Sequence, residues 1–216
     1  RSSAASDVYK RQTLDGAVDR LVERYLSEPR FHEVASDTQT VVAMEHRFLQ
    51  VHELDKVKVA AAICSARSRS LVFVRTKRGA DRLVGELARE GVRSAAIHGD
   101  LRQTDRERAL KDFASGKLPV LVATDVAARG LDIDNVDVVV HFDPSDEHKS
   151  YLHRSGRTAR AGEPGLAVTL LLWNQVVQAE VNQRRLGLRI PIVEMFSNDP
   201  RLTDLALWEP SRADSV

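Results

Sequence analysis

The sequence predicts an α/β domain, a parallel β-sheet with helices covering both of its faces. Two observations predict it. From Met44 onward, short apolar runs alternate with segments of helical periodicity, the pattern of strand–helix–strand units joined by right-handed crossovers. Three of the runs, LVFV, VLVAT and VDVVVHF, are apolar almost without a break, which suits strands buried on both faces.

Strands are expected at 46–51, 70–74, 94–98, 120–124, 136–142 and 167–172. Helices are expected between them at 55–66, 79–89, 103–114 and 149–157, with a last one at 174–186. Ahead of this alternation, 16–26 reads as an amphipathic helix with Val18, Leu21, Val22, Tyr25 and Leu26 on one face. Asp15 can cap it, and Pro29 lies just beyond its end. A short extended piece at 31–35 and the polar link SDTQT follow. Residues 1–12 lack apolar periodicity. Their DVYKRQ piece resembles a translated adapter from a sequencing library, the other reading being a natural unstructured leader, so they are set aside from fold reasoning. Beyond Pro191, with Pro200 and Pro210, the chain reads as an irregular, partly ordered tail.

A chain of 216 residues, 43% hydrophobic and 29% charged, accommodates one good-sized domain plus appendages. Its net charge of +1 advertises no global basic field, so any nucleic-acid binding must come from a local patch. Cys64 is the only cysteine, which excludes an internal disulfide and any Cys/His zinc spacing; no metal-ligand set is expected. Its setting, AAAICSAR, predicts a small buried residue on a helix and fits a reducing, cytoplasmic compartment. No apolar stretch approaches a membrane span.

In open parallel sheets, ligands bind at the carboxyl ends of the strands. Polar and small residues gather there: Arg75, Thr76 and Lys77 after LVFV, Gly99 and Asp100 after AAIH, Thr124 and Asp125 after VLVA, Asp143 and Pro144 after VVVHF. Arg129, Gly130 and Asp132 continue the fourth of the expected strands. Taken singly, Thr76 and Thr124 can be plain helix caps, Gly99 a turn residue and Gly130 a helix C-terminal glycine. Their combination points to a phosphate-bearing ligand.

Downstream, HRSGRTARAG sets Arg154, Arg157 and Arg160 at three-residue spacing. On a helix, Arg157 and Arg160 share a face, and Glu163 is the only acid nearby in sequence. Two guanidiniums so close repel unless an anion sits between them, and a triphosphate suits their planar forks. Arginines placed in this way stabilise charge on a transferring phosphoryl group. No G-x-x-x-x-G-K-[ST] loop accompanies them; Gly116 and Lys117 are followed by Leu118 and Pro119. The acidic run Asp146-Glu147-His148-Lys149 reads as a solvated helix start.

These blocks resemble the C-terminal RecA-like domain of DEAD-box RNA helicases, with a flavour similar to the bacterial RhlE-like branch. LVFVRTKRGAD looks like motif IV, and HGDLRQTDRERAL carries the family's Q-x-x-R element as Gln103 and Arg106. VLVATDVAARGLDI looks like motif V and YLHRSGRTARAG like motif VI. The likeness covers about 44–172 and, more loosely, continues to 188. Two positions depart from the commoner motif VI form HRIGRTGR: Ser155 stands for Ile and Ala159 for Gly.

The resemblance implies a RecA-like parallel sheet and a role as the second motor domain of an ATP-dependent RNA helicase. Arg157 and Arg160 would reach the γ-phosphate, Asp132 the ATP ribose, and His153, supported by Arg154, would join the network coupling ATP to domain closure. Thr76, Gly99 and Thr124 would hold RNA phosphates independently of sequence, with Arg129 bridging the RNA and ATP sides. Phe73 would pack beneath the motif VI arginines. Residues 13–40 would be a remnant of the first RecA-like domain plus linker, 41–190 the helicase domain and 191–216 the tail. The phosphate loop, the acidic motif and most of the Mg2+ coordination would belong to that upstream domain, leaving this stretch inactive alone. The competing readings are a non-catalytic RNA- or partner-binding module and a DNA-translocating relative. Such relatives tend to carry Gln where His153 stands.

Overall fold

In the computed structural model, residues 44–129, 131, 133, 135–158 and 165–211 are described. The expected leader, the helix at 16–26 and the extended piece at 31–35 lie outside them. In chain order the elements are β1 (Glu45–Gln50), α1 (Lys56–Ser65), β2 (Ser70–Phe73), α2 (Lys77–Arg89), β3 (Ser94–Ile97) and α3 (Gln103–Ala114). They continue with β4 (Val120–Ala123), α4 (Asp125–Ala128), β5 (Val138–His141), α5 (His148–Ser155), β6 (Leu166–Leu171), α6 (Val176–Arg185) and β7 (Ile192–Glu194). The six expected strands and five expected helices between Met44 and Leu186 are present with ends shifted by no more than two residues.

The strands form one seven-stranded parallel sheet in the order β3-β4-β2-β5-β6-β1-β7. Alternation along each strand divides the core between two faces. Val72, Val122, Val140 and Val168 point to the face covered by Val59, Ile63 and Cys64 of α1 and by Ala80, Leu83 and Leu87 of α2. Leu71, Phe73, Leu121 and Val139 point the other way, onto Phe113 of α3 and Ala127 and Ala128 of α4. On β1, β6 and β7, Phe48, Leu171 and Ile192 pack against Tyr151 of α5 and Ala179 of α6. Cys64 lies in the core, and burial pushes its thiol up to about 12. Among the described residues, no helix is long and apolar enough to cross a membrane.

Two elements depart from expectation. The short α4 was hidden because DVAA is too brief to show a helical period. The segment after Pro191, read as an irregular tail, instead adds β7 alongside β1 and returns Met195, Leu202 and Leu205 to the core. A buried charge fastens it: Arg47 Nε donates to Leu205 O at 2.9 Å and Nη2 to Ala206 O at 3.3 Å. Asp55 accepts from both the backbone N and the hydroxyl of Ser197 at 2.7 Å. These partners lie more than a hundred residues apart in sequence, so no local pattern announces them.

Candidate functional site

The register brings the ends of four strands level. Phe73 pairs with Ala123 on one side and His141 on the other, and Ala123 pairs with Ile97. Backbone bonds extend this edge by one residue: Val74 N to Ala123 O at 3.0 Å, Thr124 N to Ile97 O at 3.3 Å, and Asp143 N to Phe73 O at 3.1 Å. The loops carrying Thr76, Gly99 and Thr124 therefore open together at the carboxyl edge of three adjacent strands. Their partners differ. Thr76 Oγ1 accepts from Gly79 N at 3.0 Å and so caps α2, the simpler of its two expected roles. Thr124 is buried at the N-cap position of α4, yet its side chain makes no capping bond. Gly99 is exposed, and a Cβ there would meet only Lys77 Cε and Nζ, at 3.7 Å.

Next along the edge lies Arg154. Its guanidinium is buried and bidentate: Nε donates to Asp125 Oδ1 at 2.6 Å, Nη2 to Asp125 Oδ2 at 2.7 Å, and Nη1 to Asp143 O at 2.7 Å. The same group stands over the Phe73 ring, 5.1 Å from its centroid, as the packing of Phe73 beneath these arginines anticipated. Asp143 is itself occupied. Its carboxylate accepts from Arg75 N at 2.8 Å and lies 3.7 Å from Lys56 Nζ. Burial lowers the Lys56 ammonium pKa from its usual value, with Asp143 opposing the shift. Charged groups of α1, β2, α4, β5 and α5 thus meet around one guanidinium.

Beneath α5 runs a second, uncharged polar layer. His141 Nε2 and Ser155 Oγ share a hydrogen bond of 3.0 Å, and the imidazole stacks on Tyr151 with centroids 4.6 Å apart. The Tyr151 hydroxyl lies 2.7 Å from His46 Nδ1. All four residues are buried. Burial first, then the nearby charge of Arg154 and His46, holds His141 well below the usual histidine range. Ser155, one of the two departures from the commoner motif VI form, is the residue that gives His141 a partner.

Helix α5 ends at Ser155, two residues before the expected end, and Gly156 takes the C-cap position. Arg157 consequently occupies the following turn, and a shared helical face with Arg160 is not what this segment offers. The turn is pinned by Thr158 Oγ1, which donates to Val136 O at 2.8 Å, and by Val136 N, which donates to Arg157 O at 3.2 Å. Arg157 Nη1 approaches Leu131 O at 3.5 Å, setting this arginine against the 129–133 stretch that follows α4. His153 is half-buried on α5, and Arg129 is exposed at the end of α4. Arg160, Asp132 and Gly130 lie outside the described residues. On α3, Gln103 Nε2 donates to Glu107, while Arg106 Nη2 donates to Ala127 O at 2.9 Å and ties α3 to α4. Asp146 is exposed and paired with Arg75 at 2.9 Å, and Glu147 caps α5, which agrees with a solvated helix start. Among the described residues, no group of three His, Cys, Asp or Glu side chains could hold a metal ion.

Sequence reasoning missed Asp125, Asp143, His141 and Lys56. Signals existed for two of them. A histidine inside VVVHF and a serine inside motif VI are each out of pattern, and the structure pairs them.

Comparison with known proteins agrees with this geometry. The profile described as "Helicase conserved C-terminal domain" matches residues 54–162. The DEAD-box ATP-dependent RNA helicase CshA of Geobacillus kaustophilus is 39% identical over 168 residues, 77% of this chain and 36% of that relative. The chain therefore spans about a third of the length of that relative. A solved C-terminal domain of the DEAD-box protein Dbp5 superposes with a TM-score of 0.64 at 31% identity, over 77% of this chain and 98% of that one. Dbp5 of S. cerevisiae bound to RNA and ADP BeF3 gives a TM-score of 0.71 at 30% identity, over 87% of this chain and 50% of that one. A parallel RecA-like sheet, the ordered motif blocks on its carboxyl edge and these relatives lead to one conclusion: the chain belongs to the helicase C-terminal domain family, as found in DEAD-box RNA helicases.

Proposed function

We propose that this domain is the second motor domain of an ATP-dependent RNA helicase, supplying arginine fingers and part of the RNA-binding surface. The observation that carries the reading is the convergence of Thr76, Gly99 and Thr124 on one sheet edge, beside the Arg154–Asp125 pair that anchors the start of the Arg157 turn. RNA phosphates would meet Thr76, Gly99, Thr124 and Arg129. Such contacts read backbone rather than bases, which fits a net charge of only +1.

ATP would be met by Arg157 and Arg160, with Asp132 on its ribose. The fit is supported by Arg157, whose guanidinium lies against the stretch containing Asp132. His153 would carry the state of the nucleotide into domain closure, with α5 held by Arg154 and by the His141–Ser155 bond. The phosphate cradle and most Mg2+ coordination would come from a first RecA-like domain, because the sequence has no G-x-x-x-x-G-K-[ST] loop. Closure of two such domains around ATP and RNA would bend one strand and open a short duplex locally. The buried lone Cys64 fits a cytoplasmic setting.

The test has two arms. The 216 residues alone should show no RNA-stimulated ATP hydrolysis, and measurable turnover would remove the need for a partner domain. Joined to an upstream RecA-like domain, Arg157→Ala should abolish turnover, a loss of about three powers of ten or more, while circular dichroism stays unchanged. Near-normal turnover would remove its arginine-finger role.

A further inference from the structure

We infer that Lys77 and Asp100 form an electrostatic latch across the proposed RNA edge, in which Asp100 holds the lysine's charge until a phosphodiester displaces it. This rests on the RNA reading of Thr76, Gly99 and Thr124 and adds two residues with opposing roles. Lys77 directly follows Thr76, and Asp100 directly follows Gly99. Lys77 Nζ donates to Asp100 Oδ1 at 2.5 Å. In the sheet, β2 and β3 are not neighbours; β4 lies between them, and Thr124 is the next residue after its last. The ion pair therefore joins the outer two of three strand ends across the one that carries Thr124. Lys77 Cε and Nζ also lie 3.7 Å from where a Gly99 Cβ would be, so the cationic head rests over that glycine.

Energetics make the pair exchangeable. Its side chains are 52% and 68% exposed, the regime in which ion pairs contribute about 0–1 kcal/mol and yield readily to a competing anion. Nothing else in the fold needs it, since the α2 cap is made by Thr76 and the strands by their own ladders. A structural surface pair would gain nothing from this position. A latch gains discrimination: a single carboxylate or small anion must compete with Asp100, whereas a strand already held by neighbouring groups displaces it at little cost.

The linkage is specific. When a phosphate takes Lys77, the freed Asp100 carboxylate takes up a cation, which cancels the counterion that the phosphate released. Binding of a fluorescein-labelled oligouridylate to the 216-residue chain is followed by anisotropy over a KCl series, with amide NMR shifts locating the site. Asp100→Asn should tighten binding about fivefold at low salt and steepen the slope of log K against log salt by about 0.7. Lys77→Gln should leave the slope nearly unchanged with Asp100 present and reduce it by about 0.7 in the Asp100→Asn background. An Asp100→Asn variant no tighter than the parent, or a Lys77→Gln effect equal in both backgrounds, overturns the latch alone. Absence of binding, or binding that leaves the amides of Thr76, Gly99 and Thr124 unshifted, overturns the RNA reading and the latch with it.

Discussion

Arg154 holds Asp125 with two parallel hydrogen bonds, Nε to Oδ1 at 2.6 Å and Nη2 to Oδ2 at 2.7 Å. Because Asp125 opens α4 and Arg154 lies in the last turn of α5, the pair locks two sequence blocks into one unit. The remaining donor, Nη1, closes on Asp143 O, so the fork has little freedom to turn away. Any ligand that moves α5 must move α4 with it.

Arg154→Ala should therefore cost about 2–3 kcal/mol, the scale of hydrogen bonds to charged groups. The cost stays below that of a fully buried pair because Asp125 is 40% exposed and regains water. Arg154→Lys should recover less than half of it, since an ammonium cannot reproduce the fork. Urea unfolding of the three proteins measures this. Full rescue by lysine would show that charge alone matters.

His141 makes stability depend on pH in a defined direction. In the fold it stays neutral well below the usual histidine pKa, while in the unfolded chain it takes a proton near 6.5. Below that pH the unfolded state binds more protons. The stabilising contribution is thus complete above 6.5 and falls as pH drops towards the folded value, by about 1.4 kcal/mol per pH unit. Urea midpoints at pH 7.5 and 5.5 should separate more for the parent than for His141→Asn. Equal separation would mean that other groups carry the dependence.

Ser155→Ala tests the same bond from the other side. Removing the hydroxyl leaves buried His141 Nε2 without its partner, at a cost of about 1–3 kcal/mol. The imidazole resonances of His141 should shift while those of exposed His52 stay in place. Unchanged stability and unshifted resonances would remove the bond from the account of α5.

Gly165→Ala should destabilise the chain for a steric reason. A Cβ there would lie 2.4 Å from Thr158 O and 2.5 Å from Thr158 C, both backbone atoms that cannot rotate away. Gly165 O also accepts from Glu45 N at 2.8 Å at the start of the β1–β6 pairing. A loss of about 1–3 kcal/mol is expected in thermal or urea unfolding. A variant as stable as the parent would show that the Thr158 turn shifts freely, and with it Arg157.

Much of this protein was legible in its residues. Strand and helix positions follow from periodicity, a local property, and the edge on which Thr76, Gly99 and Thr124 lie follows from the rule that parallel sheets bind ligands at strand carboxyl ends. The burial of Cys64, the packing of Phe73 beneath a guanidinium and the solvated start of α5 were also readable. The ends of elements were less so. Arg157 sits in a turn rather than on a helical face because Gly156 stops α5, and the three-residue β7 is too short to show any period.

What no reading along the chain could supply is which residues answer one another's charges. Glu163 was the only acid near the motif VI arginines in sequence, yet Asp125, 29 residues upstream, neutralises Arg154. The reason is the strand order β3-β4-β2-β5, set by packing on both faces of the sheet rather than by succession along the chain. That order places α4 beside α5, lets Lys77 reach Asp100 across β4, and gives the buried His141 its serine. The sequence alone determined the elements and the kind of edge they form; the fold decided the partners, because burial obliges each charge and each imidazole to find one wherever the sheet has placed it.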